Sequence, residues 1–145
     1  MRFYNGNGLV GAITTDGSAT AFLTSSDYRL KENVVKLSGA TERLKQLKPS
    51  RFNFIADAGK TVDGFLAHEV QDIVPEAITG AKDAMMDEEY EVTPAVLDDD
   101  GNVVTDAVMA TRSVPNYQGI DQSKLVPLLV ATIQELEARI AALES

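Results

Sequence analysis

Cysteine is absent from this 145-residue sequence, histidine occurs once, and 13 Lys and Arg face 22 Asp and Glu. Each shortage excludes something. Without thiols, neither a disulfide framework nor a thiolate metal site can hold the fold, so packing must, and synthesis in a reducing cytoplasm is allowed. A formal net charge of -9 opposes phosphate backbones and no cluster of Lys and Arg offsets it, so nucleic acid is not an expected partner. No apolar run approaches the roughly 20 residues that span a bilayer. The start, Met1-Arg2-Phe3-Tyr4-Asn5-Gly6, lacks the basic opening and apolar core of a signal peptide. A soluble chain with no membrane partner and no export address is expected.

What is present is 44% hydrophobic, enough for one ordinary domain and a short extension. From Phe3 to Thr24, small, polar and apolar residues alternate with frequent glycine, which predicts short strands and tight turns. That piece is too short to bury a core alone, so it is expected to continue a longer β structure, with Met1 a truncation point. At Ser26 the charge density rises abruptly. Ser38-Gly39-Ala40-Thr41 opens a predicted helix carrying Leu44 and Leu47 that Pro49 stops. A strand is predicted over Arg51 to Ile55, a turn at Asp57 to Gly59, and a second apolar run over Val62 to Ala67. Glu69 to Val74 reads as a short helix ended by Pro75.

Gly80 to Glu91 is acidic and poor in large apolar groups, so it reads as a surface excursion. Val92 to Leu97 and Val103 to Val108 flank Asp98-Asp99-Asp100-Gly101-Asn102, a hairpin signature that predicts an arm. A calcium loop would need oxygen ligands where Val96 and Ala107 stand, so a plain turn without metal is expected. After Asp121 or Ser123 as N-cap, Val126, Leu129, Ile133, Leu136, Ile140 and Leu143 recur three and four apart, a heptad seam. The rival reading is an amphipathic helix packed on its own domain. β-Branched residues at a and leucine at d lean by themselves towards two strands, so a three-fold assembly does not follow from the seam.

The most informative stretch is Ser25-Ser26-Asp27-Tyr28-Arg29-Leu30-Lys31-Glu32-Asn33-Val34. A serine hydroxyl needs a base near neutral pH, and a lysine serves once burial disfavours its ammonium form. Positions i and i+5 diverge by about 140° on a continuous helix, so Ser26 and Lys31 need a turn or a neighbouring subunit to meet. The Ser26 hydroxyl can reach the Ser25 carbonyl carbon through a five-membered ring, so an N-to-O acyl shift would break the chain there. The structural alternative is that Ser26 or Asp27 caps a short helix and Lys31 is a solvated cation.

Ser26 to Val34 resembles the opening signature of the endosialidase-type intramolecular chaperones, the peptidase S74 family found at the ends of phage tailspikes and tail fibres. Gly64-Phe65-Leu66-Ala67-His68-Glu69-Val70-Gln71, Val74-Pro75-Glu76-Ala77, and Tyr117-Gln118-Gly119-Ile120-Asp121-Gln122-Ser123-Lys124-Leu125-Val126-Pro127-Leu128-Leu129 follow it in order and spacing. The resemblance runs from Ser26 to Ser145. It implies an α+β, homotrimeric intramolecular chaperone with a small mixed β core, a β-hairpin arm and a C-terminal helical coiled-coil bundle. Residues 1–25 would be the end of a β-rich fibre tip, and residues 26–145 the self-cleaving domain.

By the same resemblance Ser26 is the nucleophile, Lys31 the general base and Ser25–Ser26 the scissile bond. Asp27, Arg29 and Asn33 match motif positions and are assigned structural or orienting roles; His68 and Glu69 are possible supporting residues. No cofactor, metal or small-molecule substrate is implied. The expected partners are two further copies and the upstream fibre, which would remain in the virion tail while the chaperone is released. Two rivals stand beside this reading: a trimeric cap that never cleaves, and a module that frees a membrane-tethered transcription factor.

Overall fold

Alternating small and apolar residues near the N-terminus form an antiparallel meander in the computed structural model, which describes residues 1–145. Its strands are β1 (Arg2–Asn5), β2 (Gly8–Thr15) and β3 (Thr20–Thr24). Short polar side chains make the turns. Asn5 Oδ1 accepts from the Asn7 N–H at 2.8 Å, and Asp16 Oδ1 accepts from the N–H groups of Ser18 and Ala19 at 2.8 Å each. No second layer covers this sheet within its own unit: Ala12 is its one buried residue, and Phe22 is 78% exposed. A lone three-stranded sheet with both faces wet has little apolar burial to set against its ordering entropy.

The chain divides into two compact units, Met1–Lys36 and Leu37–Ser145. The second unit holds α1 (Ala40–Leu44), β4 (Ser50–Phe54), β5 (Asp57–Gly64), α2 (Ala67–Gln71), a 3₁₀ turn (Pro75–Ala77) and β6 (Ile78–Thr79). It continues with β7 (Met85–Thr93), β8 (Val96–Leu97), β9 (Val103–Thr105), β10 (Val108–Pro115), β11 (Gly119–Ile120), a 3₁₀ turn (Gln122–Leu125) and α3 (Val126–Glu144). Strands and helices are therefore mixed, with a long helix at the C-terminus. No helix is long and apolar enough to cross a membrane.

The core is small: Ala40, Val70, Val74, Ala77, Leu125 and Leu128 are buried together, flanked by half-buried Leu44, Leu47, Phe65, Ile73, Ile78 and Ile120. It gathers α1, α2, the two 3₁₀ turns and the first half of α3. Asp121 caps the turn leading into α3, its Oδ1 accepting from the Ser123 N–H at 3.0 Å, as one of the two caps expected from sequence. Pro127 sits in the first helical turn, where its missing N–H costs nothing.

Three expectations are corrected. The turn between β4 and β5 lies at Ile55 and Ala56, not at Asp57 to Gly59, because Phe54 already pairs with Asp57. The helix expected over Glu69 to Val74 begins earlier, at Ala67, and gives way to the 3₁₀ turn at Pro75. The acidic segment read as a surface excursion is exposed, but it is ordered as most of the longest strand, β7, paired antiparallel with β10 from Met85↔Pro115 to Thr93↔Val108. Glu88 sits opposite Arg112, Glu89 opposite Thr111 and Asp87 opposite Ser113; Arg112 Nε donates to Glu88 Oε2 at 2.8 Å, and the Arg112 guanidinium lies 5.0 Å from the Tyr90 ring centroid. The arm is thus a long hairpin with β8 and β9 at its tip, where Asp98 Oδ1 accepts from the N–H groups of Asp100 and Asn102.

The N-terminus of α1 is capped from a distance. Its N-cap, Gly39, has a positive φ of 67° and no side chain to offer, so the orphan N–H groups turn to α3. Glu135 Oε1 accepts from the Ala40 N–H at 2.9 Å; Oε2 accepts from the Thr41 N–H at 2.9 Å and the Thr41 hydroxyl at 2.5 Å. The Thr41 hydroxyl first, then the N–H groups of Thr41 and Ala40, hold the Glu135 carboxyl down to about 2, from an ordinary 4.5. A lowered carboxyl stabilises the fold at pH values above its unfolded pKa, and that stability fades as pH falls through the folded one. The thermal midpoint of wild type is therefore expected to exceed that of Glu135→Gln near neutral pH. The gap should close between pH 4.5 and about 2. A gap independent of pH would rule the charge out.

Helix α3, with Leu125 just before it, carries two columns of side chains. Leu125, Leu128 and Thr132 are buried and Glu135 is half-buried, all on the side that meets α1. The heptad residues are on the other side: Ile133 is 65% exposed and Ile140 54%, with Val126, Leu129, Leu136 and Leu143 also exposed. The seam read from the sequence is therefore not what packs the helix onto its own unit.

Candidate functional site

Residues 26–31 make one tight U-turn. Asp27, extended at φ −62° and ψ 136°, caps a single 3₁₀ turn over Tyr28–Leu30, and Lys31 leaves it extended at φ −126° and ψ 140°. Leu30 N–H donates to Asp27 O, and Lys31 N–H to Tyr28 O, both at 3.1 Å. Extended entry and exit on either side of a 3₁₀ turn return the chain alongside itself, which a continuous α-helix would not do at this spacing. As a result Lys31 Nζ donates to Ser26 Oγ at 2.7 Å within one chain.

Asp27 and Arg29 lock that turn. Asp27 Oδ1 accepts from the Arg29 N–H and Nε, each at 2.9 Å, and Oδ2 from a terminal guanidinium nitrogen at 2.8 Å. The Arg29 guanidinium, then its backbone N–H, hold the Asp27 carboxyl below the usual carboxylate range, and Asp27 in turn raises Arg29. Asp27 is thus an anion committed to the turn. Asn33 adopts a left-handed φ of 51°, which asparagine tolerates better than most residues. Ser26 and Lys31 are both exposed in the single chain.

His68 and Glu69 lie on α2, in the second unit. Glu69 pairs with Lys48, Oε1 to Nζ 3.3 Å, and His68 lines an open groove of ≈ 570 Å³ with Phe52, Phe65 and Gln118. The later motif blocks converge in that unit. Gln118 Nε2 donates to Gln71 Oε1 at 2.9 Å, Ile120 pairs with Ile78, and the Asp121 N–H donates to Ala77 O at 2.8 Å.

One group at the turn escaped the reading of the sequence. The Ser25 hydroxyl donates to Leu9 O at 2.8 Å, and the Ser25 N–H to Val10 O at 3.2 Å. Both acceptors are backbone carbonyls far back in the chain, so no side-chain pattern could have announced them.

Residues 26–79 match the peptidase S74 family, described as chaperone of endosialidase. The match begins at Ser26 and takes in the Ser26–Val34 and Gly64–Gln71 blocks, so the family read from those motifs is the one found. No curated protein matches the chain. Among solved structures, the chain is similar to one described as a novel intramolecular chaperone, at 16% identity and a TM-score of 0.43 over 79% of this chain and 99% of that one. It is also similar to the carboxy-terminal domain of the bacteriophage T5 L-shaped tail fibre with its intramolecular chaperone domain, at 13% identity and a TM-score of 0.46 over 99% of this chain. This chain spans 36% of that second structure.

Proposed function

We propose that this chain is the C-terminal end of a phage tail fibre or tailspike, with residues 26–145 acting as a trimeric intramolecular chaperone that cuts itself off between Ser25 and Ser26. The observation that carries the reading is the 2.7 Å contact between Lys31 Nζ and Ser26 Oγ, formed at the first residue of the family match. An ammonium donates across that contact; a neutral amine accepts the serine proton along the same line.

The reaction then balances without an external substrate. Ser26 Oγ gives its proton to Lys31 Nζ and bonds to the Ser25 carbonyl carbon, and the bond from that carbon to the Ser26 nitrogen breaks as the nitrogen takes the proton back. Water hydrolyses the resulting ester. The products are a Ser25 carboxylate and a Ser26 hydroxyl with a free α-amine. Burial favours a neutral amine, and Lys31 is exposed in one chain, so the covering has to come from assembly.

Assembly has a surface to use. The exposed heptad column of α3 supports self-association, and the family resemblance supplies three as its number. Trimerising the C-termini would raise the local concentration of upstream strands to roughly millimolar, which speeds a β pairing that is otherwise slow and non-local. Removing the chaperone afterwards leaves a fibre that cannot readily retrace its folding. Synthesis in the host cytoplasm and a place for the fibre part in the virion tail follow from this role.

The test is purification of the wild-type chain under native conditions. A trimer by sedimentation, whose large fragment begins at Ser26, is expected. Single uncut chains would overturn the proposal; an uncut trimer would favour a cap that never cleaves.

A further inference from the structure

The hairpin of β4 and β5 has a polar face and an apolar one. On the first, Arg51 stands opposite Asp63 and Asn53 opposite Thr61, and Arg51 Nε donates to Asp63 Oδ1 at 2.7 Å. On the second, Phe52 stands opposite Val62, and Phe54 meets the Phe52 ring edge-on with centroids 5.5 Å apart. Phe52, Phe54 and Val62 line the ≈ 570 Å³ groove together with Phe65, Leu66 and Ile120. A Cβ on Gly64 would stand 3.2 Å from the Phe52 ring, so glycine leaves room for that ring in the groove wall. Asp63 is the only carboxylate among the lining residues, and it is paired with Arg51.

The tip of the same hairpin is apolar as well. Ile55 and Ala56 make its turn, both at negative φ, because Asn33 and Asp83 are the only non-glycine residues at positive φ. A two-residue hairpin turn favours asparagine or glycine, and nothing in this one calls for a β-branched side chain. Asn53 pairs with Thr61 and Phe54 with Asp57, which leaves Ala58, Gly59 and Lys60 as extra residues on β5 and bends the strand there. Ile55 is fully exposed, Phe54 is 63% exposed, and Ile55 does not line its own groove.

An exposed isoleucine by itself means little. Here it stands at the end of an open apolar groove, on a chain whose assembly surface is otherwise narrow. The exposed column of α3 is a single run of side chains from Val126 to Leu143, whereas a stable interface takes ~20–30 residues on each side. Further contact area has to come from elsewhere on the unit. An apolar protrusion and an apolar groove at different places on one surface are what a head-to-tail contact between copies requires.

We infer that the groove between the β4–β5 hairpin and the start of α2 seats the Ile55 tip of a neighbouring copy, as a second contact between chains beside the α3 column. In a trimer each copy gives its tip to one neighbour and takes the tip of the other. This rests on the self-association proposed above.

The experiment measures by native mass spectrometry how fast isotopically labelled and unlabelled assemblies exchange chains, in wild type, Ile55→Asp and Leu66→Asp. Each substitution should speed exchange by at least ~10-fold, because an apolar contact gives way to an enclosed carboxylate at every interface. Dissociation into single chains is the same result carried further. Both side chains are exposed in the single chain, and Leu66 is the N-cap of α2, where aspartate suits the helix, so circular dichroism should report the wild-type fold. Which surfaces meet is read separately. The chain has no cysteine, so Ile55→Cys chains mixed with Leu66→Cys chains and bridged by a short flexible bismaleimide should give a linked product with one chain of each kind.

Exchange at the wild-type rate in Ile55→Asp, or the absence of mixed links, would overturn the seat and leave the trimer standing. Wild type that sediments as single chains would overturn both.

Discussion

Replacing Ser26 by alanine is expected to leave the chain whole, and replacing Lys31 by alanine to slow its cutting by ~10²–10⁴-fold, the usual worth of a positioned general base. The two differ because one removes the atom that forms the new bond and the other only the group that takes its proton. Lys31→Arg should fare no better than alanine, since a guanidinium does not give up its proton in a protein. Mixing the chains sharpens the result. Lys31 Nζ and Ser26 Oγ meet within one chain, so in the proposed trimer, combining Ser26→Ala with Lys31→Ala chains is expected to leave cutting as slow as in the lysine variant alone. Restored cutting in the mixture would move the base to a neighbouring subunit.

The second large effect concerns assembly. Ile133→Asp combined with Ile140→Asp is expected to yield monomers by sedimentation at micromolar concentration, and those monomers should not cut. Both side chains belong to the exposed column of α3, away from Leu125 and Leu128, so the unit should keep its own thermal transition. Taking an isoleucine out of water is worth ~1.5–3 kcal/mol, and the substitution replaces that gain with the cost of enclosing a carboxylate, in every copy of the helix. Monomers that cut at the wild-type rate would separate the reaction from assembly and remove the reason for calling the unit a chaperone of its own fibre.

How much of this could be read beforehand depended on how local the signal was. The heptad column of α3, the Asp121 cap and the hairpin turn at Asp98 to Asn102 each lie within a few consecutive residues, and each was found where the pattern put it. β7 was missed because its acids look like a solvated loop until Arg112 and the rest of β10 are placed opposite them. The residues of the U-turn were legible from the motif. Its geometry was not, because a spacing of five fits no single regular helix and only the 3₁₀ turn capped by Asp27 resolves it. Glu135 and the Leu9 and Val10 carbonyls were invisible for another reason: their partners are brought to them by tertiary structure, and a carbonyl carries no residue identity.

The two columns of α3 are immediate neighbours along the chain: Leu125 beside Val126, Leu128 beside Leu129, Thr132 beside Ile133, Glu135 beside Leu136. Rotating such a rod to improve its grip on one side withdraws it from the other. In the assembly proposed above, substitutions tolerated within one chain would be filtered by what they do to its outer contour, and lineages that drift apart in their interiors should lose the ability to mix their chains.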